Sequence, residues 1–284
     1  MVTIQKARSQ DFERVYPLLT ELNVPYITKE NWQQLFVNHW NVEEDYHGFM
    51  LLDQDNVVGF FGLIFSRRTI RGESYQFCNL TSWIVKQAYR KHSMSLLYTV
   101  LKLKDYTLTD LTATKVAYKI FKKFDFQDGE THVRIIPWFI SLFHGVRKCL
   151  LTWDPHVIAG ILKGENLKIF EDHKEFPCIH LVFHSPGGSC YCVLTKIKKK
   201  GLAFGHIHYL SDKEFFCRDG VAAVFAVCRR LNVIGLYIDE QRLKGEHVFP
   251  SVSLKLNQPK IFRSNDVGKE DIDSLYSECV ILPL

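Results

Sequence analysis

The stretch NLTSWIVKQAYRKHSMS, residues 79–95, organises the rest of the chain. Its first seven residues, 79–85, are rich in β-formers and bulky apolar groups and predict a strand. Residues 93–103 set Leu96, Val100 and Leu103 at helical spacing, with Leu97 beside them, and predict a helix. Between them lies a short basic loop, 86–92, ending in Arg90, Lys91 and His92. A helix start carries unpaired N–H groups and a partial positive charge, so strand, loop and helix in this order form a cradle for a phosphate. The three basic side chains strengthen that cradle, and Ser93 stands where its oxygen would cap the helix. An ordinary strand–loop–helix with a solvated basic loop accounts for the same residues.

These residues resemble the acyl-CoA-binding motif of the GNAT acyltransferase superfamily, a strand followed by Arg/Gln-x-x-Gly-x-Gly/Ala and a helix. Arg90-Lys91-His92-Ser93-Met94-Ser95 falls on that pattern behind Tyr89, with Ser93 and Ser95 in the two glycine positions. Downstream, residues 106–112 predict another strand, and 117–126, AYKIFKKFDF, resemble the second signature of the family, Ala-x-x-Leu-Tyr-x-x-x-Gly-Phe. The resemblance implies an α/β (α+β) fold: a mixed, mostly antiparallel sheet flanked by helices. It also implies acetyl-CoA or another acyl-CoA as co-substrate, held by Trp83, Ile84, Val85, Arg90, Lys91, His92, Ser93, Met94, Ser95 and Thr114, the last standing where the family commonly has Asn.

In the family's mechanism an amine or hydroxyl attacks the thioester directly, and a backbone N–H of the central strand, here within 83–85, holds the oxyanion. The family's usual acid, a Tyr, is replaced by Phe121, which has no proton to give; Tyr118 lies three residues earlier. Asn79 (through water), His47, His206 and His208 are the candidates for proton removal. His206 and His208 point to the same side of one predicted strand, although a histidine on an apolar strand more often serves the core. Trp83 and Trp138 line an acceptor pocket or fill the core. The segment 79–85 followed by Tyr89-Arg90 looks most like bacterial members linked to surface-sugar biosynthesis, which implies an amino sugar or glycan precursor as acceptor. The lost glycines and Phe121 equally suit a non-catalytic scaffold or ligand-sensing protein built on a degenerate GNAT pair.

At 284 residues the chain is long enough for two domains, expected at 1–148 and 149–284. Hydrophobic content of 46% supports packed cores. A net charge of +5 suits an anionic ligand but is too small to argue for nucleic acid. No apolar run is long enough to span a bilayer, and the start has no signal-peptide core. The eight cysteines form no C-x-x-C pair and are expected as reduced, buried thiols in a cytoplasmic protein; no metal site is expected. Cys190 and Cys192 share one strand face, and a zinc site with His206 and His208 competes there with plain core packing.

In chain order the patterns predict a strand at 3–7, helices at 10–22 (capped by Ser9) and 29–39, a hairpin of 48–53 and 57–67, and the strand that leads into the 79–95 stretch. Residues 132–140 are expected to supply the last strand of the first domain. The second half predicts a helix entered at Asp154-Pro155, a hairpin of 179–184 and 190–197, a strand at 202–210, a helix over 212–231 and a strand at 233–238. That order repeats the first half without a phosphate loop and predicts either a second, GNAT-like domain or an α+β extension. Residues 251–284 are not assigned.

Overall fold

The computed structural model describes residues 1–40, 42–143, 149–243, 245–246, 248 and 250–283. The chain forms two compact units, 1–127 with 260–284, and 128–259. Each is built on a seven-stranded, mostly antiparallel sheet. The division falls at 127/128 instead of 148/149, and residues 144–148 lie outside the described residues.

Strands are numbered in chain order. The first unit contains β1 (Val2–Ala7), β2 (Gly48–Asp53), β3 (Asn56–Ile70), β4 (Glu73–Val85) and β5 (Thr107–Asp110). Its sheet runs β1-β2-β3-β4-β5 and is completed by β14 (Ile261–Arg263) and the two-residue β6 (Gln127–Asp128). β4 and β5 are parallel, joined by a crossover helix, while β14 runs antiparallel to β5. Residues 132–140 therefore do not finish this sheet: β7 (His132–Pro137) pairs with strands of the second unit, and the tail strand β14 takes the place beside β5.

Two layers of helix cover the sheet. Helix α1 (Phe12–Thr20) and the one-turn α2 (Lys29–Gln33) pack on one face through the aromatic series Phe12, Phe36 and Phe60, with Phe36 stacked on Phe60. Helix α3 (Ser93–Val100) lies on the other, where Leu96, Leu97 and Val100 join Phe61, Leu63, Cys78, Leu80 and Leu108 in one buried cluster. Phe60 and Phe61 serve opposite layers because strand side chains alternate. Helix α4 (Lys115–Phe121) is capped by Thr114, whose Oγ1 accepts from the Ala117 N–H at 3.2 Å. Its exit places Asp125, at the Gly position of the second signature, in the left-handed region at φ 62°. Aspartate tolerates that conformation, which is how the turn survives without glycine. Ser9 does not cap α1: its Oγ is bonded to His47 Nε2 at 3.0 Å, and Asp11 holds the Arg8 N–H instead.

The second unit repeats the plan. Its sheet runs in the order β13 (Val252–Lys255), β7, β12 (Gly235–Asp239), β11 (Leu202–Leu210), β10 (Gly188–Lys199), β9 (Ile179–Ser185) and β8 (Leu150–Thr152), with β11 and β12 parallel. Helices α5 (Pro155–Ile161), capped by Asp154, and α6 (Gly164–His173) precede the hairpin. The segment expected as one helix over 212–231 is broken into α7 (Lys213–Arg218), a 3₁₀ turn at Gly220–Ala223, and α8 (Val224–Leu231). Gly220 sits where an added Cβ would meet Phe216 at 2.9 Å, so the break follows from a close approach that only glycine permits. All eight cysteines are free, and Cys190, Cys192, Cys217 and Cys228 fill this unit's core. Among the described residues no helix is long and apolar enough to cross a membrane.

The tail is held to the first unit by charge as well as by β14. Arg68, near the end of β3, pairs with Asp273; both side chains are nearly buried, and the guanidinium lies 4.7 Å from the Phe77 ring centroid. Arg71 in the β3–β4 turn meets Asp271 at 3.0 Å. Removing one member of a buried pair strands the other charge, at a cost of about 3–5 kcal/mol. Asp273→Ala is expected to destabilise the protein by about 3 kcal/mol or more in urea unfolding and to expose the tail to proteolysis. An unchanged midpoint would show that β14 alone anchors it.

Candidate functional site

The parallel ladder between β4 and β5 is short. It runs from Phe77↔Thr107 to Asn79↔Thr109 and stops. Just beyond, β4 carries an extra residue: Gly62 faces Thr81 and Phe60 faces Ile84, so Ser82 and Trp83 together oppose Phe61. Ser82 sits in the left-handed region at φ 50°, a conformation that costs a non-glycine residue energy and here forms a β-bulge. A bulge bends its strand. Beyond Asn79, β4 leaves β5, and the β5-facing backbone of residues 83–85 has no strand beside it among the described residues.

The parting opens two adjoining clefts. One, of about 410 Å³, is lined by Trp83, Ile84, Val85, Arg90, Ser93, Thr114, Val116, Ala117 and Ile120. Six of the ten residues expected to hold acyl-CoA surround it; Lys91, His92, Met94 and Ser95 lie on the same turn and helix but do not line it. Residues 87–92 form a 3₁₀ turn running straight into α3, so the N-cap is His92 and Ser93 is already helical; no side chain caps this start. The Ser93 N–H donates to the Arg90 carbonyl, so the turn itself satisfies the helix start, and what the start of α3 offers an anion is the positive end of its dipole. Tyr89 anchors the turn by donating to Asp53 at 2.7 Å.

The second cleft, of about 300 Å³, shares Trp83, Thr114 and Ala117 with the first. Tyr26, Trp32, Phe61 and Trp83 give it aromatic walls, and Asp110, Thr112 and Glu278 give it a polar floor. Glu278, in the one-turn helix Glu278–Ile281, is 1% exposed. Its N–H donates to Asn79 Oδ1 at 3.3 Å, while Asn79 Nδ2 donates to Thr109. Thr112 Oγ1 donates to Glu278 Oε1 at 2.7 Å, whereas Oε2 is buried without a hydrogen bond; the Trp83 Nε1–H is likewise buried and unbonded. Burial pushes the Glu278 carboxyl up to about 7, against the pull of Thr112, Lys260 and Asn79. Asp110 is raised well above the usual carboxylate range by burial and by the neighbouring Glu278.

The other nominated residues lie elsewhere. Tyr118 is half-buried on α4 and lines neither cleft. Phe121 is fully buried against Trp83 and Phe126. His47 is bonded to Ser9 and pushed down to about 4 by burial; the hollow of about 10 Å³ beside it holds at most one water. His206 and His208 belong to the second unit. Their rings are 4.3 Å apart on β11, His208 Nε2 meets Thr195 Oγ1 at 2.8 Å, and His206 Nε2 lies 4.0 Å from Asp239 Oδ1. Cys190 and Cys192 join Ile207 in the core, on the sheet face opposite those histidines, so strand alternation separates the thiols from the imidazoles. Among the described residues no three His, Cys, Asp or Glu side chains are grouped to hold a metal ion. Trp138 lines neither of these two clefts and is 42% exposed beside Phe225.

Glu278 is the residue that sequence patterns miss. It lies 199 positions from Asn79 in the unassigned tail, and β14, the Arg68–Asp273 pair and the packing of Val267 and Ile272 on Phe77 and Leu111 bring it to the cleft.

The chain is similar in fold to crystal structures of GCN5-related N-acetyltransferases. The protein from Kribbella flavida is 13% identical, with 93% of this chain and 72% of that one covered at a TM-score of 0.60. The protein from Anabaena variabilis is 10% identical, with 95% and 74% covered at 0.58. No family model and no curated protein matches the sequence. The fold is therefore that of this superfamily, with two mixed sheets flanked by helices.

A carboxyl raised from its usual 4.5 to about 7 adds stability that is full below about pH 4.5 and is lost as pH rises through 7. Glu278→Gln keeps the oxygen that accepts from Thr112 and removes the buried charge. It is expected to leave thermal stability near the wild-type value at about pH 4.5 and to raise it at about pH 8, on the order of 3 kcal/mol. Equal shifts at both pH values in calorimetric melts would refute the assignment.

Proposed function

We propose that the first unit binds an acyl-CoA, acetyl-CoA in the simplest case, in the cleft lined by residues 83–85, Arg90 and Ser93, and transfers the acyl group to an amine or hydroxyl acceptor entering from the Glu278 side. The observation that carries this reading is the parting of β4 from β5, which leaves the backbone of residues 83–85, the start of α3 and an exposed arginine around one cleft. Arg90 and the positive end of the α3 dipole supply the positive potential a pyrophosphate needs, with Lys91 and His92 on the same turn adding to the local charge. A backbone N–H from 83–85 is available to a developing oxyanion.

Phe121 cannot protonate the departing sulfur, and Tyr118 stands outside both clefts. A thiol of pKa near 8.5 leaves as thiolate without help, so the reaction does not require that tyrosine. For the acceptor, the aromatic walls of the second cleft and the resemblance of 79–85 to surface-sugar enzymes support an amino sugar or glycan precursor in the cytoplasm. The buried Phe121 and the serines at 93 and 95 favour the rival reading, a ligand-binding scaffold that has lost the chemistry.

Calorimetric titration with acetyl-CoA and coenzyme A tests the shared premise. Micromolar binding is expected, weakened at least about 30-fold by Arg90→Glu. Binding of equal strength by the variant would move the ligand away from this cleft, and no binding by the wild type would remove the cofactor.

A further inference from the structure

We infer that the second unit docks on an anionic bilayer surface through one end of its sheet, where exposed aromatic and aliphatic side chains are flanked by lysine and arginine. The inference is independent of the acyl-CoA reading. β7 and β10 end, and β11 and β12 begin, on the same side of this sheet. There the Trp138 N–H donates to the Ile234 carbonyl at 3.2 Å, and the Ile234 N–H donates to the Ala203 carbonyl at 2.9 Å. The turn after β7, the entry to β12 and the start of β11 are thereby tied together.

The 3₁₀ turn Trp138–Leu142 follows β7 and presents Trp138, Phe139 and Leu142, with Phe143 directly behind; all four are exposed, Leu142 by 76%. The turn is fastened from below. Ile140 is fully buried, and Ser141 Oγ donates to the Val221 carbonyl at 3.1 Å and accepts from the Phe225 N–H at 3.0 Å. Phe225, exposed on α8, extends the display. Ring centroids lie 5.7 Å apart for Trp138 and Phe225, 5.7 Å for Trp138 and Phe139, and 6.5 Å for Phe139 and Phe143. Single exposed apolar side chains are ordinary, but rings in contact with one another and open to solvent mark an interaction surface.

The charge around these rings has one sign. Lys198, Lys199 and Lys200 are exposed at the β10–β11 turn, where Lys199 pairs with the exposed Leu202. Arg229, also exposed, stands one helical turn beyond Phe225 on the same side of α8. The segments that build this end, 131–143, 196–211 and 220–238, contain no aspartate or glutamate. Apolar side chains with cations around them and no anions complement acyl chains under anionic headgroups. A second copy fits less well, because a symmetric contact sets the same basic rim against itself. Nucleic acid fits less well too, since Leu142, Leu202 and Ile234 offer a base no π face to stack on.

The test floats the full chain with vesicles of phosphatidylcholine alone and of phosphatidylcholine with about 30% phosphatidylglycerol, at about 0.1 and 0.5 M salt. Partitioning is expected to be at least about tenfold stronger onto the anionic vesicles and to fall at least about fivefold at the higher salt. Leu142→Glu, and separately Lys199→Gln with Lys200→Gln, should each weaken it at least about tenfold. These side chains are exposed, so unchanged melting midpoints are expected and show that the variants are folded. Lipid brominated near the headgroup should quench tryptophan fluorescence in wild type, and Trp138→Phe, which keeps the apolar contact, should lose most of that quenching. No flotation, equal flotation with both vesicle types, indifference to Leu142→Glu, or undiminished quenching in Trp138→Phe would each overturn the proposal. Self-association dispersed by Leu142→Glu, with vesicles ignored, would overturn it in favour of a second copy. Binding of single-stranded DNA with vesicles ignored would overturn it in favour of nucleic acid.

Discussion

Both clefts of the first unit depend on β4 and β5 staying together for three residue pairs and then separating. Two parallel strands held by a continuous ladder leave no room for a ligand between them. Here Asn79 and Thr109 form the last pair, and their side chains are themselves hydrogen-bonded, which seals the vertex of the opening. The bulge at Ser82 and Trp83 turns β4 away just past that vertex. Its cost, a serine at φ 50°, is borne by neighbouring order: Trp83 stacks on Phe61 at 5.0 Å and 5°, and Gly62 lets Thr81 approach to a distance where a Cβ would meet Thr81 Cγ2 at 2.9 Å. Strain held by packing is common where a backbone must present itself to a ligand.

The sheet order of the first unit was legible wherever local pattern dominates. The 48–53/56–70 hairpin, β4, α3 and α4 follow from alternation, helical spacing and the Thr114 cap. The cleft residues Trp83, Ile84, Val85, Arg90, Ser93 and Thr114 were legible because strand, turn and helix are contiguous in sequence. What escaped depends on distance along the chain. Nothing local in His132–Pro137 says which sheet it joins, since a half-buried strand pattern fits either edge. Nor does Ile261–Arg263, three residues long, announce that it will pair with β5. Glu278 falls in the same class: a lone glutamate in a tail carries no signal until two elements far away enclose it.

The second unit shows why the order of elements alone does not carry an activity. Its β11–β12 crossover repeats the β4–β5 crossover, and both pairs are parallel. The helix that follows β11, however, begins at Asp212, whose carboxylate accepts from the Phe215 N–H at 2.8 Å. That acid puts negative charge at the helix start and disfavours an anion there. The corresponding start of α3 is uncapped and flanked by Arg90, Lys91 and His92. The two helix starts thus differ in charge on the same fold, one acidic and side-chain-capped, the other basic and without a side-chain cap.

The acids of the second cleft make the same point from the side of energy. A fold selected for stability alone would place an apolar side chain where Glu278 lies, because a buried carboxyl held near 7 must either stay protonated or pay desolvation when it ionises. A second acid, Asp110, beside it deepens the penalty. The tail nevertheless invests a strand, the Arg68–Asp273 pair and bonds to Asn79 and Thr112 in holding that carboxyl at the vertex of the opening. Buried acids held at a loss to stability beside an aromatic cleft are the kind of group that clusters at functional sites.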